Sequence, residues 1–131
     1  ISKYDIVMDA TDNLHARYLI NDACVKLGKP FVYGSICEFC GQVSVFNYQN
    51  GPTYRDLFEY NDEIENFSQP LGVIGALPGI VGSLQANEAI KIILEKPGVL
   101  SGKLLTIDIL NNTYLTFAIR KKERREESLF K

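Results

Sequence analysis

Apolar and polar positions along the chain follow two periods, and each change of period marks an element. Residues 4–10 (YDIVMDA) set Ile6, Val7 and Met8 as an unbroken apolar run between two aspartates, the pattern of a strand buried on both faces of a parallel sheet. Thr11, Asp12 and Asn13 follow, all helix-capping types; Leu14, Tyr18, Ala23 and Leu27 then recur at roughly helical spacing as far as Gly28, with Pro30 beyond. This predicts a strand, a tight turn and a helix of about four turns. Residues 31–36 (FVYGSI) and 42–46 (QVSVF) read as two strands joined by a short link, compatible with a hairpin. From residue 47 to about 71 the periodicity fails, in a polar, aromatic, Pro-containing stretch; loops of that length are usually functional or mobile. Helical patterning returns at Ala76, with Leu77, Ile80, Val81, Leu84, Ile90 and Ile93 in a stripe that ends near Pro97 and Gly98. Residues 103–110 and 113–119 predict two last strands around Asn111 and Asn112, a pair suited to a two-residue hairpin turn. The run RKKERREE after Ile119 has mixed charge and is expected to be solvated.

That order predicts an α/β arrangement, a mixed β-sheet with flanking helices: the hairpins must be antiparallel, whereas the first strand-helix-strand unit wants a parallel crossover. With 131 residues, 46% of them hydrophobic and 23% charged, the chain reads as one globular domain or a piece of one, not a disordered tail, a disulfide scaffold or a rod. A formal net charge of -2 argues against a nucleic-acid partner, which would call for a basic surplus. The apolar runs are broken well before membrane-spanning length, so no membrane partner is expected. The odd count of 3 cysteines and the lack of a secretory preamble fit a reducing compartment, and the cytoplasm is the expected location. The first residue is Ile1 and the only methionine, Met8, falls within an apolar run, so a longer parent is expected.

In open α/β sheets ligands bind beyond the carboxyl ends of the parallel strands, which is where Asp12 and Asn13 fall. A carboxylate there suits Mg²⁺ bridging nucleotide phosphates, although Asp and Asn before an apolar helical repeat are first of all N-caps. Asp9 is either a further polar contact or a buried group bonded to backbone, and spacing does not decide. Cys37 and Cys40 have the C-x-x-C spacing of a zinc half-site or a redox pair. Only Cys24 and His15 remain as soft ligands, both in the predicted helix, so two ordinary thiols are the plainer reading. Gly75, Gly79 and Gly82 at the start of the last helix match neither G-x-G-x-x-G nor a Walker motif, and close helix packing is the expectation for them. No G-x-S-x-G elbow accompanies the serines.

Taken together, DATDNLHARYLINDAC, GQVSVF, PTYRDLF, GVIGALPGIVGSLQANEAIKIIL and SGKLLTID resemble the ThiF/MoeB/HesA family of adenylyltransferases, relatives of ubiquitin-activating enzymes. The resemblance covers residues 4–119. It implies the C-terminal half of a Rossmann-like ubiquitin-activating-type fold over residues 1–119, with 47–75 as a long crossover loop and 120–131 as a charged tail. It further implies a parent enzyme that uses ATP and Mg²⁺ to adenylate the C-terminal glycine of a ubiquitin-like sulfur carrier ending in Gly-Gly, in thiamine or molybdopterin biosynthesis. Asp12 matches the family's Mg²⁺-coordinating aspartate, and Asn13 and Arg17 match positions beside the nucleotide. A homodimer is the expected assembly.

Departures from the pattern shape the expectation. The family's glycine-rich ATP-cradling turn belongs to the half preceding Ile1, so this fragment alone is expected to be inactive. Where many members place two zinc-binding C-x-x-C pairs, this chain has Thr53 and Asp56 at the first and no cysteine in the tail, so zinc is not expected. Residues 47–75 hold no cysteine, and Ser68 stands near the position of the family's covalent cysteine, so the expected chemistry stops at the adenylate. Two rival readings stay open: a non-catalytic carrier-binding or dimerisation module of a degenerate relative, and the far half of a nicotinamide-dependent Rossmann enzyme.

Overall fold

The computed structural model describes residues 5–9, 14–37, 39–58 and 76–121. Its elements are β1 (Val7–Met8), α1 (Leu14–Leu27), β2 (Phe31–Cys37), β3 (Cys40–Phe46), α2 (Tyr54–Leu57), α3 (Ala76–Ile93), β4 (Lys103–Asp108) and β5 (Thr113–Ala118). The strands form one sheet in the order β1-β2-β3-β4-β5. β1 runs parallel to β2 through the α1 crossover, and every later pair is antiparallel, which gives the mixed sheet that the element order requires.

α1 stops at Gly28 because Gly28 adopts a φ of 68°, which costs a residue without Cβ little. The Gly28 amide donates to the Val25 carbonyl at 3.3 Å and the Lys29 amide to the Cys24 carbonyl at 2.9 Å, the paired bonds of a Schellman ending. Chain direction then reverses into β2, whose side chains alternate between two covered faces. Phe31 and Tyr33 join Tyr18 and Cys24 of α1, Phe46 of β3, Tyr54 of α2 and Leu104 of β4 in a largely aromatic core. Val43 and Ile107 face the other way and pack with Leu77 and Val81 of α3. The result is a helix layer on each face of the sheet, as an α/β layer design demands.

Several expectations change on contact with this packing. The run around Met8 is not covered on both sides by described residues: Met8 is 43% exposed, and β1 lies at one edge of the sheet. The buried face of α1 is Arg17, Tyr18, Asn21 and Cys24, while Leu27 is 42% exposed. An apolar count misplaced that stripe because two of its inward residues are polar and hydrogen-bonded. The long loop holds a helical turn, α2, which the failing periodicity hid. There the Asp56 carboxylate accepts from the Thr53 amide at 2.7 Å, and the Asp56 amide donates to the Thr53 carbonyl at 3.0 Å. Asn21 Oδ1 accepts from the Tyr54 amide at 2.9 Å, so α1 helps to start α2.

The last hairpin turns through residues 109–112 and not through Asn111 and Asn112 alone. Asp108 pairs with Thr113, and its carboxylate accepts from the amides of Leu110 at 3.1 Å and Asn111 at 3.2 Å and from Asn111 Nδ2 at 2.8 Å. A side chain that satisfies turn amides ends the strand two residues early. Asn112 carries the positive φ, 53°. α3 is tied to the segment that leads into β4 by Glu88, which is buried: its Oε1 accepts from the Leu100 amide at 2.7 Å and its Oε2 from Lys91, on the same helix, at 2.7 Å.

Candidate functional site

The carboxyl ends of the two parallel strands β1 and β2 gather a set of buried polar groups. Asp9 follows β1 directly, and its amide donates to the Val32 carbonyl at 2.8 Å, which extends the ladder by one residue. Its side chain is 0% exposed. Arg17, in the second turn of α1, donates from Nε to Asp9 Oδ2 at 2.8 Å. The same guanidinium donates from Nη2 to the Gly34 carbonyl at 3.3 Å and from Nη1 to Ser35 Oγ at 3.4 Å. Its Cζ lies 5.4 Å from the centre of the Tyr33 ring, a distance for a cation–π contact.

A buried charge persists only when it is paired and its remaining hydrogen-bonding capacity is met, and the rigid fork of arginine suits that task. Here one guanidinium ties the end of β1 to two successive residues of β2. Tyr33 continues the network, donating its hydroxyl to Gln42 Oε1 at 2.9 Å, and burial pushes its phenol above the ordinary value. From the opposite face of the sheet Gln85 of α3 donates its Nε2 to the Asp9 carbonyl at 2.9 Å.

Asp12 and Asn13 lie outside the described residues, in the short connection between Asp9 and α1. Of the three expected site residues, Arg17 is therefore the one placed, and it is a buried, multiply bonded residue of the strand ends. The Asp9 carboxylate is held by Arg17 and shut off from solvent, which does not suit a magnesium ligand that shares its ion with phosphate and water oxygens. Spacing left Asp9 open between two roles, and it is a buried group bonded to both backbone and a side chain. Gln85 is not among the expected site residues; the available signal is a polar residue which, like Glu88 one turn on, takes an inward position in a largely apolar helical stripe.

The remaining candidates disperse. Cys37 and Cys40 are register partners that close the β2–β3 hairpin, and Cys40 is exposed. Cys24 lies in the aromatic core, where burial pushes its thiol up to about 11. Among the described residues no three His, Cys, Asp or Glu side chains converge as a metal site. Gly79 and Gly82 do not serve close packing among the described residues, because no described atom comes within 4 Å of a Cβ at either position. Both lie on the exposed side of α3. Gly75, Ser68 and the run RKKERREE from residue 122 onward lie outside the described residues. No described helix is long and apolar enough to cross a membrane.

Comparison with known proteins places this geometry in a family. The chain is 48% identical over 122 residues to a probable molybdopterin-synthase adenylyltransferase of Pyropia yezoensis, a match over 91% of this chain and 32% of that protein. It is 50% identical over 123 residues to the protein of the same name from Porphyra purpurea. With the adenylyltransferase and sulfurtransferase MOCS3 of Dictyostelium discoideum it shares 48% identity over 126 residues, covering 94% of this chain and 30% of that one. The chain thus spans about a third of the length of the curated relatives it matches. Among solved structures, E. coli MccB with ATP superposes with a TM-score of 0.73 at 13% identity, over 92% of this chain and 38% of MccB. MccB with AMPCPP and MccA gives a TM-score of 0.76, also at 13% identity. That likeness shows a shared Rossmann-like fold. The ThiF family model matches residues 1–128, nearly the whole sequence, and the chain belongs to the ThiF family.

Proposed function

We propose that this chain is the C-terminal portion of the catalytic domain of an ATP-dependent adenylyltransferase that activates the C-terminal glycine of a ubiquitin-like sulfur carrier, in molybdopterin biosynthesis. The observation that carries the reading is the 50% identity over 123 residues to a probable molybdopterin-synthase adenylyltransferase. A carboxylate is a poor electrophile. Its oxygen attacks the α-phosphorus of ATP, the bond to the β-phosphate bridging oxygen breaks, pyrophosphate leaves, and the acyl-adenylate carries a good leaving group. Magnesium, when bound, neutralises charge on the triphosphate and on the departing pyrophosphate.

In this reading Asp12 supplies the magnesium-facing carboxylate and Asn13 lies beside the nucleotide. Arg17, the other position matched beside the nucleotide, also holds the end of β1 to the middle of β2 through Asp9, Gly34 and Ser35. The β2–β3 hairpin borders the approach of the carrier's extended tail, and the assembly is a cytoplasmic homodimer. The glycine-rich cradle for the nucleotide is assigned to another part of the parent protein, and zinc has no role.

Pyrophosphate exchange into ATP tests this. The complete protein that carries this chain is expected to exchange labelled pyrophosphate into ATP only when a Gly-Gly-ending carrier is added, and Asp12→Ala is expected to abolish the exchange. Exchange that survives in Asp12→Ala removes the metal assignment. Exchange with no need of a carrier removes the substrate assignment.

A further inference from the structure

Gln85 reaches from α3 across to the carboxyl end of β1, 76 positions earlier in the chain. Its Nε2 lies 2.9 Å from the Asp9 carbonyl oxygen and 3.4 Å from that of Val32, and the residue is 7% exposed. Opposite it stands Gly34. A Cβ at Gly34 would sit 2.6 Å from both Oε1 and Nε2 of Gln85, so the glycine is what leaves room for the amide. The neighbouring inward positions of the same helix, Leu77 and Val81, are apolar. Packing alone would be served by another aliphatic side chain, since a buried amide is favourable only where its hydrogen bonds are made.

What the amide gains is Asp9. The Asp9 amide is bound by Val32, its carboxylate by Arg17 and its carbonyl by Gln85, so every polar group of the residue is anchored from a different element. Asp9 is also the first residue of the D-x-T-D-N string. We propose that Gln85, seated on Gly34, is a positioning residue for the nucleotide site: by holding the Asp9 carbonyl it fixes the point and direction in which the chain leaves β1 toward Asp12. The inference rests on the adenylyltransferase reading. Gln85 touches neither substrate nor metal and acts through Asp9.

The test uses the complete protein with Gln85→Glu, which keeps the shape but replaces the donating amide by an oxygen facing two carbonyls. Gln85→Met keeps the volume and removes both polar atoms. Two readouts are taken on folded variants. Backbone hydrogen exchange is expected to speed up about tenfold or more at the Asp9 amide, because local opening no longer breaks the Gln85 bond. Carrier-dependent pyrophosphate exchange is expected to fall by about tenfold to a hundredfold in kcat, with a raised half-saturating Mg²⁺ and an unchanged KM for carrier. Gly34→Ala, which displaces the amide without touching Gln85, is expected to give the same signature, and to add nothing in a Gln85→Ala background. Wild-type hydrogen exchange at Asp9 in Gln85→Glu or Gln85→Met, or a fall in kcat with no change in Mg²⁺ dependence, overturns the proposal. If the unmutated protein catalyses no pyrophosphate exchange, the functional reading is what fails, and hydrogen exchange still decides whether Gln85 holds Asp9.

Discussion

Arg17 Nε lies 2.8 Å from Asp9 Oδ2, with the Asp9 side chain 0% and the Arg17 side chain 9% exposed. Two opposite charges so far from water offset each other's desolvation, and neither is tolerated alone. The pair joins α1 to the end of β1 across the crossover that a parallel strand pair requires.

Removing both partners is therefore expected to cost less than the two single removals added together. Arg17→Met or Asp9→Leu should each lower stability by about 3–5 kcal/mol, because each strands a buried charge, whereas the double variant should lose distinctly less than their sum. Urea unfolding of the four proteins in a double-mutant cycle measures this. Additive losses would mean that the two groups do not depend on each other.

A second ion pair joins the same helix to the long loop and behaves differently. Arg55 donates to both oxygens of Asp22, at 2.8 Å from Nε and 2.9 Å from Nη2, but the two side chains are 42% and 49% exposed. The Arg55 hydrogen bond holds the Asp22 carboxyl below its ordinary value of 3.8. A carboxyl lowered on folding contributes stability above its unfolded pKa, and that contribution disappears as pH falls through the lower folded value. Solvent screening keeps it small. Asp22→Asn is expected to cost no more than about 1 kcal/mol at pH 7 and to become neutral in strong acid or in high salt. Thermal melts of both proteins across pH give the comparison, and a loss that persists below the carboxyl titration would assign Asp22 a packing role instead.

The difference between these pairs explains what the sequence made legible. The element order, the mixed sheet and the family follow from period changes and from long motifs such as GSLQANEAIK, because periodicity records which face is covered. Arg17 was singled out by its place in a motif. Its partner was not, since Asp9 and Arg17 are brought together by the turn of the crossover and not by spacing on one element. Gln85 and Gly34 are 51 positions apart, and only the sheet makes them neighbours. The inward face of α1 was misplaced for the same reason: Arg17 and Asn21 are polar yet buried, because Asp9, Gly34 and the Tyr54 amide supply their bonds. The turn after β4 was misjudged because Asp108 satisfies the amides of Leu110 and Asn111, a local chemistry that hydrophobic alternation does not register.

Cysteine reactivity reports on how firmly α1 is held. Cys24 is 0% exposed, and burial raises its thiol to about 11, so at pH 8 about one molecule in a thousand carries the reactive thiolate there. Its carbonyl accepts from the Lys29 amide at 2.9 Å and from Asn47 Nδ2 at 3.0 Å, which locks the helix end onto the exit of β3. Cys40 lies exposed on the β2–β3 hairpin. Alkylation at pH 8 followed by peptide mapping is expected to mark Cys40 within the native state and Cys24 only at the rate of global unfolding. Because the Cys24 value is raised on folding, its contribution to stability is complete below the unfolded thiol pKa and is lost as pH climbs toward 11. Labelling of Cys24 should therefore accelerate with pH more steeply than thiolate formation in an unfolded chain predicts. Asn47→Ala, which frees one bond to the Cys24 carbonyl, should bring that labelling forward while leaving Cys40 unchanged. Equal labelling of Cys24 and Cys40 in the folded protein would show that α1 opens on its own, and the anchoring of its two ends, by Arg17 and by Asn47, would then not be what holds it.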